Sequence, residues 1–545
     1  MYDLVIFGGG PCGLSLAQMA KRLNKSVLLV EKEDTLGGCH RVDRRVASSD
    51  SKRRSYDGVF SEHGPRVYVD NYRTFERLLR DMGTSMDDLF EESVYGNKLR
   101  NRGDMTPTSL KWYEQLAIVR VILKHAFLLL FHGRPDAHPF HEISVESFMD
   151  DQGFTPESRW YIDSLCRTTD GGGSNTYSLF QFMELLDIGL AKKVMQPRAP
   201  ADRRHNSDGS GFVERWREHL VSEPRPVDIM MGWSLTGMKT KDGAVQYATV
   251  RKKNSDDEKT LRGQAYVLAM PPESILTVFD GIKKAGDVDL DDAFAPPPNH
   301  ASFRDWSAAT RYDEYLCFTL HWLGGGEGAA AKVVRENEKT RTTMTETEWG
   351  VGFMLMGFPS VENEHVVARS SASACLSCSI TRPRVRSSFT KKTADDCENS
   401  DEWAAEATRQ ILTETGLPAP DLIVPFSAVE RTSPRASVGT ESSSPRWRNT
   451  TTAFFRAANS GVIPFGSAKL RNLYNVGCQN GHQKYHLTTL EAAVSNSIAF
   501  MHQVYPASRK LYKIVGPGWR VSHLVYIALI IVLSLTIYAV YAAVK

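Results

Sequence analysis

The chain has 545 residues, too many for one simple core, so two intertwined or consecutive domains are expected. Its 66 basic and 64 acidic residues leave a formal charge of +2, far from the imbalance of a protein that lives on phosphate backbones, which sets nucleic acid aside as a main partner. Eight cysteines, Cys12, Cys39, Cys166, Cys317, Cys375, Cys378, Cys397 and Cys478, are scattered without a disulfide framework and fit reduced thiols in a cytosol-facing protein.

The first residues, "MYDLVIF", enter a strand at once and leave no room for a signal peptide. A glycine turn, a helix through "GLSLAQMAKRL" and a second strand in "SVLLVEKE" complete a βαβ opening, the start of a parallel sheet. Gly8, Gly10 and Gly13 fall between strand and helix as G-x-G-x-x-G. In that context the first glycine allows the tight turn, the second lets a pyrophosphate reach the backbone, and the third lets the helix pack on the strand. Glu31 ends the second strand, where a carboxylate accepts from adenosine ribose hydroxyls and repels a 2'-phosphate, which disfavours NADP.

Polar, Ser-rich or Gly/Pro-rich stretches at 44–58, 252–263, 283–300, 324–332 and 439–447 read as loops or hairpin tips. The segment 116–131 is strongly apolar but carries Arg120 and Lys124, too interrupted to span a bilayer; it reads as a core helix or as a monotopic helix resting on a membrane. From Val227 on, "VDIMMGWSLTGMKTKDGAVQYATVRKK" reads as successive strands with a turn at Asp242-Gly243, followed by the buried strand "GQAYVLAMPP". Cys375-x-x-Cys378 has no second pair at zinc spacing and lies in a strand-like alternation, so a structural role is expected and no metal site. Residues 402–415 carry helical spacing, and "PDLIVPFSAVER" after them reads as a strand.

Near the C-terminus, "NVGCQNGHQKYHLTTLEAAV" takes a strand to a glycine and then a polar loop to a helix, with Thr488 and Glu491 at capping-box spacing. Leu524 to Val544 is 21 residues without a charge, roughly 30 Å of helix and enough for a hydrocarbon core, with only Lys545 beyond it. Arg509, Lys510, Lys513 and Arg520 precede it, with Trp519 as an interfacial anchor. A single-pass tail anchor in a membrane is expected, with the catalytic part facing the cytosol.

Five pieces carry a family resemblance: "VIFGGGPCGLSLA"; "EKEDTLGG"; "SEHGPRVYVDNYRTFERLLRDMG", where an E-x-G segment precedes a helix; "YVLAMPP"; and "NLYNVGCQNGHQKYHLTTLEAAVSNSIAF". Together they resemble the FAD-dependent flavin amine oxidase and phytoene desaturase superfamily. The resemblance implies an α/β fold in which a Rossmann-like FAD-binding domain is interleaved with an α+β substrate domain, with the C-terminal transmembrane helix added. The implied segments are FAD-binding at 1–95, 196–296 and 462–506, substrate domain at 96–195 and 297–461, and the anchor at 521–544. FAD is implied over NAD because Gly37-Gly38, after the Glu31-Lys32 run, looks like the second phosphate-side loop of two-dinucleotide-binding-domain flavoproteins.

Residue by residue, the resemblance implies FAD contacts at Gly8, Gly10, Gly13, Glu31, Lys32, Gly37, Gly38, Val227, Gly477 and Cys478, and backbone N–H groups from Leu487, Thr488 and Thr489 to the flavin pyrimidine. The family has an acid where Cys478 stands, so a ribityl or phosphate contact passes to Gln479 or Asn480 or is lost; Leu490 to Ala493 replace its Met-Glu-Gly-Ala. Over the flavin, "HGPR" at 63–66 offers Arg66, and the polar loop offers His482, Lys484, Tyr485 and His486, where a histidine titrating near neutrality accepts a substrate proton. The implied activity is hydride transfer from the C–H of a small-molecule substrate to flavin N5, and the membrane anchor with the apolar 116–131 segment tilts the expected substrate towards a lipophilic one. The alternatives are a flavin isomerase like UDP-galactopyranose mutase, or a catalytically weak flavin-binding membrane protein. Trp447, Phe465 and Tyr474 are available for an aromatic cage, which the sequence does not assemble.

Overall fold

Leu4 to Phe7 and Val27 to Val30 are unbroken apolar runs, the pattern of strands covered on both faces. In the computed structural model they become β1 (Tyr2–Phe7) and β2 (Val27–Glu31), joined by α1 (Pro11–Arg22). The structure describes residues 1–43, 61–64, 68–92, 110–132, 138–170, 172–189, 194–197, 211–282, 284–285, 288–290, 293–297, 300–312, 315–323, 329–337, 346–355, 372–432, 445–450, 455–456, 462–482, 489–516 and 521–544. Arg66, Lys484, Tyr485, His486, Leu487, Thr488, Trp519 and Arg520 lie outside these, as does the whole of the expected loop at 44–58.

Along the chain follow the short strand β3 (Ser61–Glu62), α2 (Arg73–Asp81), and the helices α3 (Trp112–His132), α4 (Val145–Asp151), α5 (Pro156–Asp170), α6 (Leu179–Gly189) and α7 (Gly211–Val221). Next come β4 (Asp228–Met231), the meander β5 (Trp233–Lys241), β6 (Ala244–Lys252) and β7 (Glu258–Leu261), and β8 (Gly263–Leu268). A second strand group contains β9 (Leu316–Leu323), β10 (Val351–Leu355), β11 (Ala372–Ile380) and β12 (Leu422–Pro425), with α8 (Ser400–Thr415) between the last two and β13 (Arg446–Asn449) after them. β14 (Leu473–Asn475), α9 (Leu490–Val504) and α10 (Val521–Val544) end the described chain.

A parallel sheet in the order β14-β8-β1-β2-β4 draws its strands from far-separated parts of the chain. One face, with Leu4, Ile6, Val27 and Leu29, packs on α1, α2, α7 and α9; the other, with Val5, Phe7, Leu28 and Val30, packs on the β5-β6-β7 meander. That double coverage is the reason the two runs do not alternate. The meander turns at Asp242 and Gly243, both at positive φ, as a two-residue hairpin requires. A separate antiparallel sheet, β10-β11-β9-β12, carries its own core against α8.

Several expectations shift in register. The stretch 252–263 is not all loop, because β7 starts at Glu258 and pairs along β6. Residues 283–300 hold a small hairpin of Lys284–Ala285 with Val288–Asp289, and a helix, Ala329–Glu336, begins inside 324–332. "PDLIVPFSAVER" gives two strands in different sheets, β12 and Val429–Thr432, the break falling after Pro425, which has no N–H to donate. Cys375 and Cys378 are free and lie inside β11, buried, and burial pushes both thiols well above their ordinary range.

Candidate functional site

β1 runs out into Gly8, whose φ of +115° suits glycine and where a Cβ would stand 2.4 Å from the Ala269 carbonyl oxygen. A Cβ on Gly13 would stand 1.9 Å from the Gly8 oxygen, so α1 sits on the turn only because that position is bare. Gly13→Ala is accordingly expected to cost about 2 kcal/mol of stability by overpacking, read as a lowered denaturation midpoint; an unchanged midpoint would show that α1 shifts freely. Gly10 is the N-cap of α1 and offers no side-chain cap, and Pro11 follows it, so the positive end of a 12-residue helix is left to other partners.

The second glycine pair docks on the first loop. Gly37 donates its N–H to the Gly9 oxygen at 2.9 Å, and a Cβ on Gly38 would come 3.1 Å from the Gly10 Cα. Glu31 is buried and accepts from Gly9 N–H at 2.6 Å and from Glu33 N–H at 2.9 Å, while burial raises its pKa. In this structure its carboxylate therefore braces the loop. Lys32 is exposed and lies 3.7 Å from Glu33, and buried Val227 donates its N–H to the Leu220 oxygen just before β4. Sequence reasoning passed over Arg41, which is buried, 3.5 Å from Glu33 and 5.4 Å above the Phe426 ring; its only sequence signal is its place after the glycine pair.

The opposite wall forms where β14 ends. Asn480 closes it by accepting from Gly477 N–H at 2.8 Å and donating to the Ile463 oxygen and to Asn475 Oδ1. Gln479 donates to the Met270 and Asn475 oxygens. The Asn480 amide is thus engaged with the protein, whereas the buried Gln479 Oε1 has no partner among the described residues. Cys478, with its thiol pushed well up by burial and by neighbouring Cys12 and Cys39, lies 4.0 Å from the Thr489 oxygen.

The expected Thr488–Glu491 capping box is not what starts α9. Thr489 is the N-cap and accepts from Ala492 N–H at 3.1 Å, which places Glu491 one residue too early to reach back. Glu491 instead crosses to α2, accepting from Thr74 N–H at 2.7 Å and Phe75 N–H at 2.9 Å. His482 donates its backbone N–H to Asn496 at 2.8 Å, its ring stacks on Phe465 with centroids 4.9 Å apart, and burial lowers its pKa. Tyr474 and Phe465 both touch Phe500, but Trp447 packs on Trp403 in the other core, so the three aromatics do not meet as a cage.

Between the two sheets lies a seam that sequence reasoning touched only at Arg66. β3 pairs with Val42–Asp43, just after the glycine pair, and leads into His63 and Gly64. A Cβ on Gly64 would stand 3.2 Å from Cys317 Sγ, so this loop lies directly on the antiparallel sheet. The Tyr315 hydroxyl stands 2.9 Å from the ring nitrogens of buried His63, with the rings edge to face at 5.0 Å. Cys317 Sγ, itself 3.6 Å from Asn449 Nδ2, contacts the His63 oxygen at 2.7 Å. Glu62 beside it is fully buried. The E-x-G pattern was the one available signal, and it does not name Tyr315.

A family model described as an NAD(P)-binding Rossmann-like domain matches residues 6–82. A stretch of 111 residues is 31% identical to UDP-galactopyranose mutase of Mycoplasma genitalium, covering 19% of this chain and 23% of the mutase. Among solved structures, cyclohexylamine oxidase from Brevibacterium oxydans IH-35A matches with a TM-score of 0.56 at 12% identity over 94% of this chain and all of its own. Wild-type putrescine oxidase bound to putrescine matches at 0.54 and 14% over 93% and 99%. An oxidoreductase from Methanosarcina mazei matches at 0.55 and 13% over 92% and 99%. The chain carries a Rossmann-like dinucleotide-binding domain and shares the overall fold of these oxidoreductases.

Proposed function

We propose that this protein is an FAD-dependent oxidoreductase held in a membrane by α10. The observation that carries the reading is the contact between the two glycine loops, Gly8 to Gly13 and Gly37-Gly38, at the carboxyl ends of the parallel strands, where β14 also ends and α9 begins. The residues fit the cofactor. α1 keeps an uncapped positive end for a diphosphate, and Gln479 Oε1 is a buried acceptor that a ribityl hydroxyl would satisfy. Gly8, Gly10, Gly13, Gly37, Gly38 and Gly477 give backbone approach, with Glu31, Lys32, Val227, Cys478 and the Leu487–Thr489 turn as further contacts.

FAD, when bound, supplies the acceptor for a hydride from a substrate C–H bond. The chain's part is to hold it and to handle protons and charge. The N-terminal end of α9 stabilises negative charge that develops nearby. His63, fixed by Tyr315 and Cys317, holds or moves a proton at the seam; Arg66, His482, Tyr485 and His486 are the other polar candidates. α10 supports membrane anchorage, being 24 residues long and exposed throughout from Ile527 to Val540, beyond the first turns that pack on the protein.

A flavin absorbance band in the purified full chain, bleached anaerobically by an amine or a polyene, is the expected result; folded protein without flavin would end the proposal. The match to UDP-galactopyranose mutase favours a second reading, a flavin isomerase acting on a nucleotide sugar. It requires that the chain turn over such a sugar only after chemical reduction, with no oxygen consumed.

A further inference from the structure

We infer that the exposed apolar face of α3 is a second membrane contact, lying in the surface layer of an anionic bilayer beside the point where α10 enters it. This rests on the reading of α10 as an anchor. A soluble core helix hides its apolar stripe, whereas α3 shows two. Ala117, Val121 and His125 face the helical core with α6, while Trp112, Leu116, Val119, Leu123, Phe127 and Leu130 are exposed at between 48% and 73%. At 100° per residue those six side chains share a sector of about 80°, a continuous stripe along the whole helix.

The stripe is continuous with α10. The Tyr526 hydroxyl donates to the Ala126 oxygen at 2.8 Å, and α10 packs on both α3 and α6 through its first turns. Tyr526 lies near the start of the span Ser522–Val540, and from Ile527 on the large apolar residues of α10 through Val540 are exposed. The two helices therefore meet at the level where α10 passes from protein into hydrocarbon, and the α3 stripe reaches that same level.

The flanks suit a lipid surface. Arg120 bonds to Gln152 and Lys124 lies 5.5 Å over the Phe140 ring, so both basic groups sit on the boundary of the stripe, and Trp112 and Tyr113 mark its first turn. Arg509, Lys510 and Lys513, all exposed, precede α10. Glu114, the acid within α3, is fully buried and bonded to Thr155 and Ser158, so it does not oppose an anionic surface. An amphipathic helix with basic flanks and aromatic ends is held by burial of its apolar face together with attraction to acidic headgroups.

The test uses the full chain in phosphatidylcholine–phosphatidylserine vesicles, with a fluorescent label at Leu123→Cys, at Leu535→Cys in α10, or at exposed Arg77→Cys on α2. Labelled chain without added cysteines corrects for native thiols. The expected result is that the Leu123 label loses quenching by aqueous iodide relative to Arg77 and gains quenching by nitroxides carried high on the acyl chains, while Leu535 responds to nitroxides carried deep. A Leu123 label as open to iodide as Arg77, with Leu535 in lipid, overturns this inference and leaves the anchor standing. Protection of Leu123 from both quenchers also overturns it, since a second protein surface would then cover the stripe. Leu123 in lipid with Leu535 in water removes the anchor and overturns the inference as stated, since α3 would then touch lipid without α10 entering beside it.

Discussion

Glu491→Ala is expected to destabilise the chain by about 4 kcal/mol, the sum of two buried backbone N–H groups left without an acceptor and a cavity at a fully enclosed site. The residue does for α2 what a capping side chain normally does from within its own helix. α2 has Tyr72 at its N-cap and no side-chain cap of its own, and the carboxylate arrives from α9 to take its first donors. Burial pushes Glu491 up from 4.5 to about 7, against the pull of those donors. The folded chain then holds a proton, between about pH 4.5 and 7, that the unfolded chain has released, so this residue's contribution to stability falls as pH rises through that window. Glu491→Gln cannot titrate and is expected to flatten that part of the pH dependence while keeping one acceptor. Denaturation midpoints across the range decide it: an alanine variant within about 1 kcal/mol of wild type, or a glutamine variant with an unaltered slope, would contradict the capping role.

What was legible in the sequence was local. The βαβ opening, the hairpin at Asp242-Gly243, α9 and the apolar α10 follow from periodicity and glycine placement within a few residues. The interleaving of strands from both ends of the chain into one parallel sheet came from resemblance, and β14 pairing on β8 is what it looks like in space. Glu491 was misread because its partner lies 417 residues away, and a carboxylate two positions into a helix looks like a local cap when no tertiary neighbour is visible. The His63 and Tyr315 pair was missed for the same reason, at a separation of 252. Glu31, read as a contact for ribose hydroxyls, also accepts from Gly9 and Glu33 of its own chain, a brace on the loop that its strand-end position alone does not reveal.

Under the proposed function, the pair at the seam has the larger expected consequence for activity. A proton-transfer group works only if its ring is held, and His63 is held at both ends, by the Tyr315 hydroxyl at its nitrogens and by the Cys317 contact at its backbone oxygen. His63→Ala is therefore expected to lower turnover by about 10²- to 10⁴-fold, the range for loss of a positioned general acid or base. Tyr315→Phe keeps the ring packing and removes one hydrogen bond, worth about tenfold. The two losses should not multiply, because the tyrosine acts through the histidine, so the double variant should resemble His63→Ala alone. Flavin absorbance measured on each variant separates this from damage to the cofactor site, since Gly8 to Gly13 and Gly37-Gly38 are untouched. Turnover within about threefold of wild type in a flavin-loaded His63→Ala protein would move the proton chemistry away from the seam and towards the polar loop between His482 and Thr489.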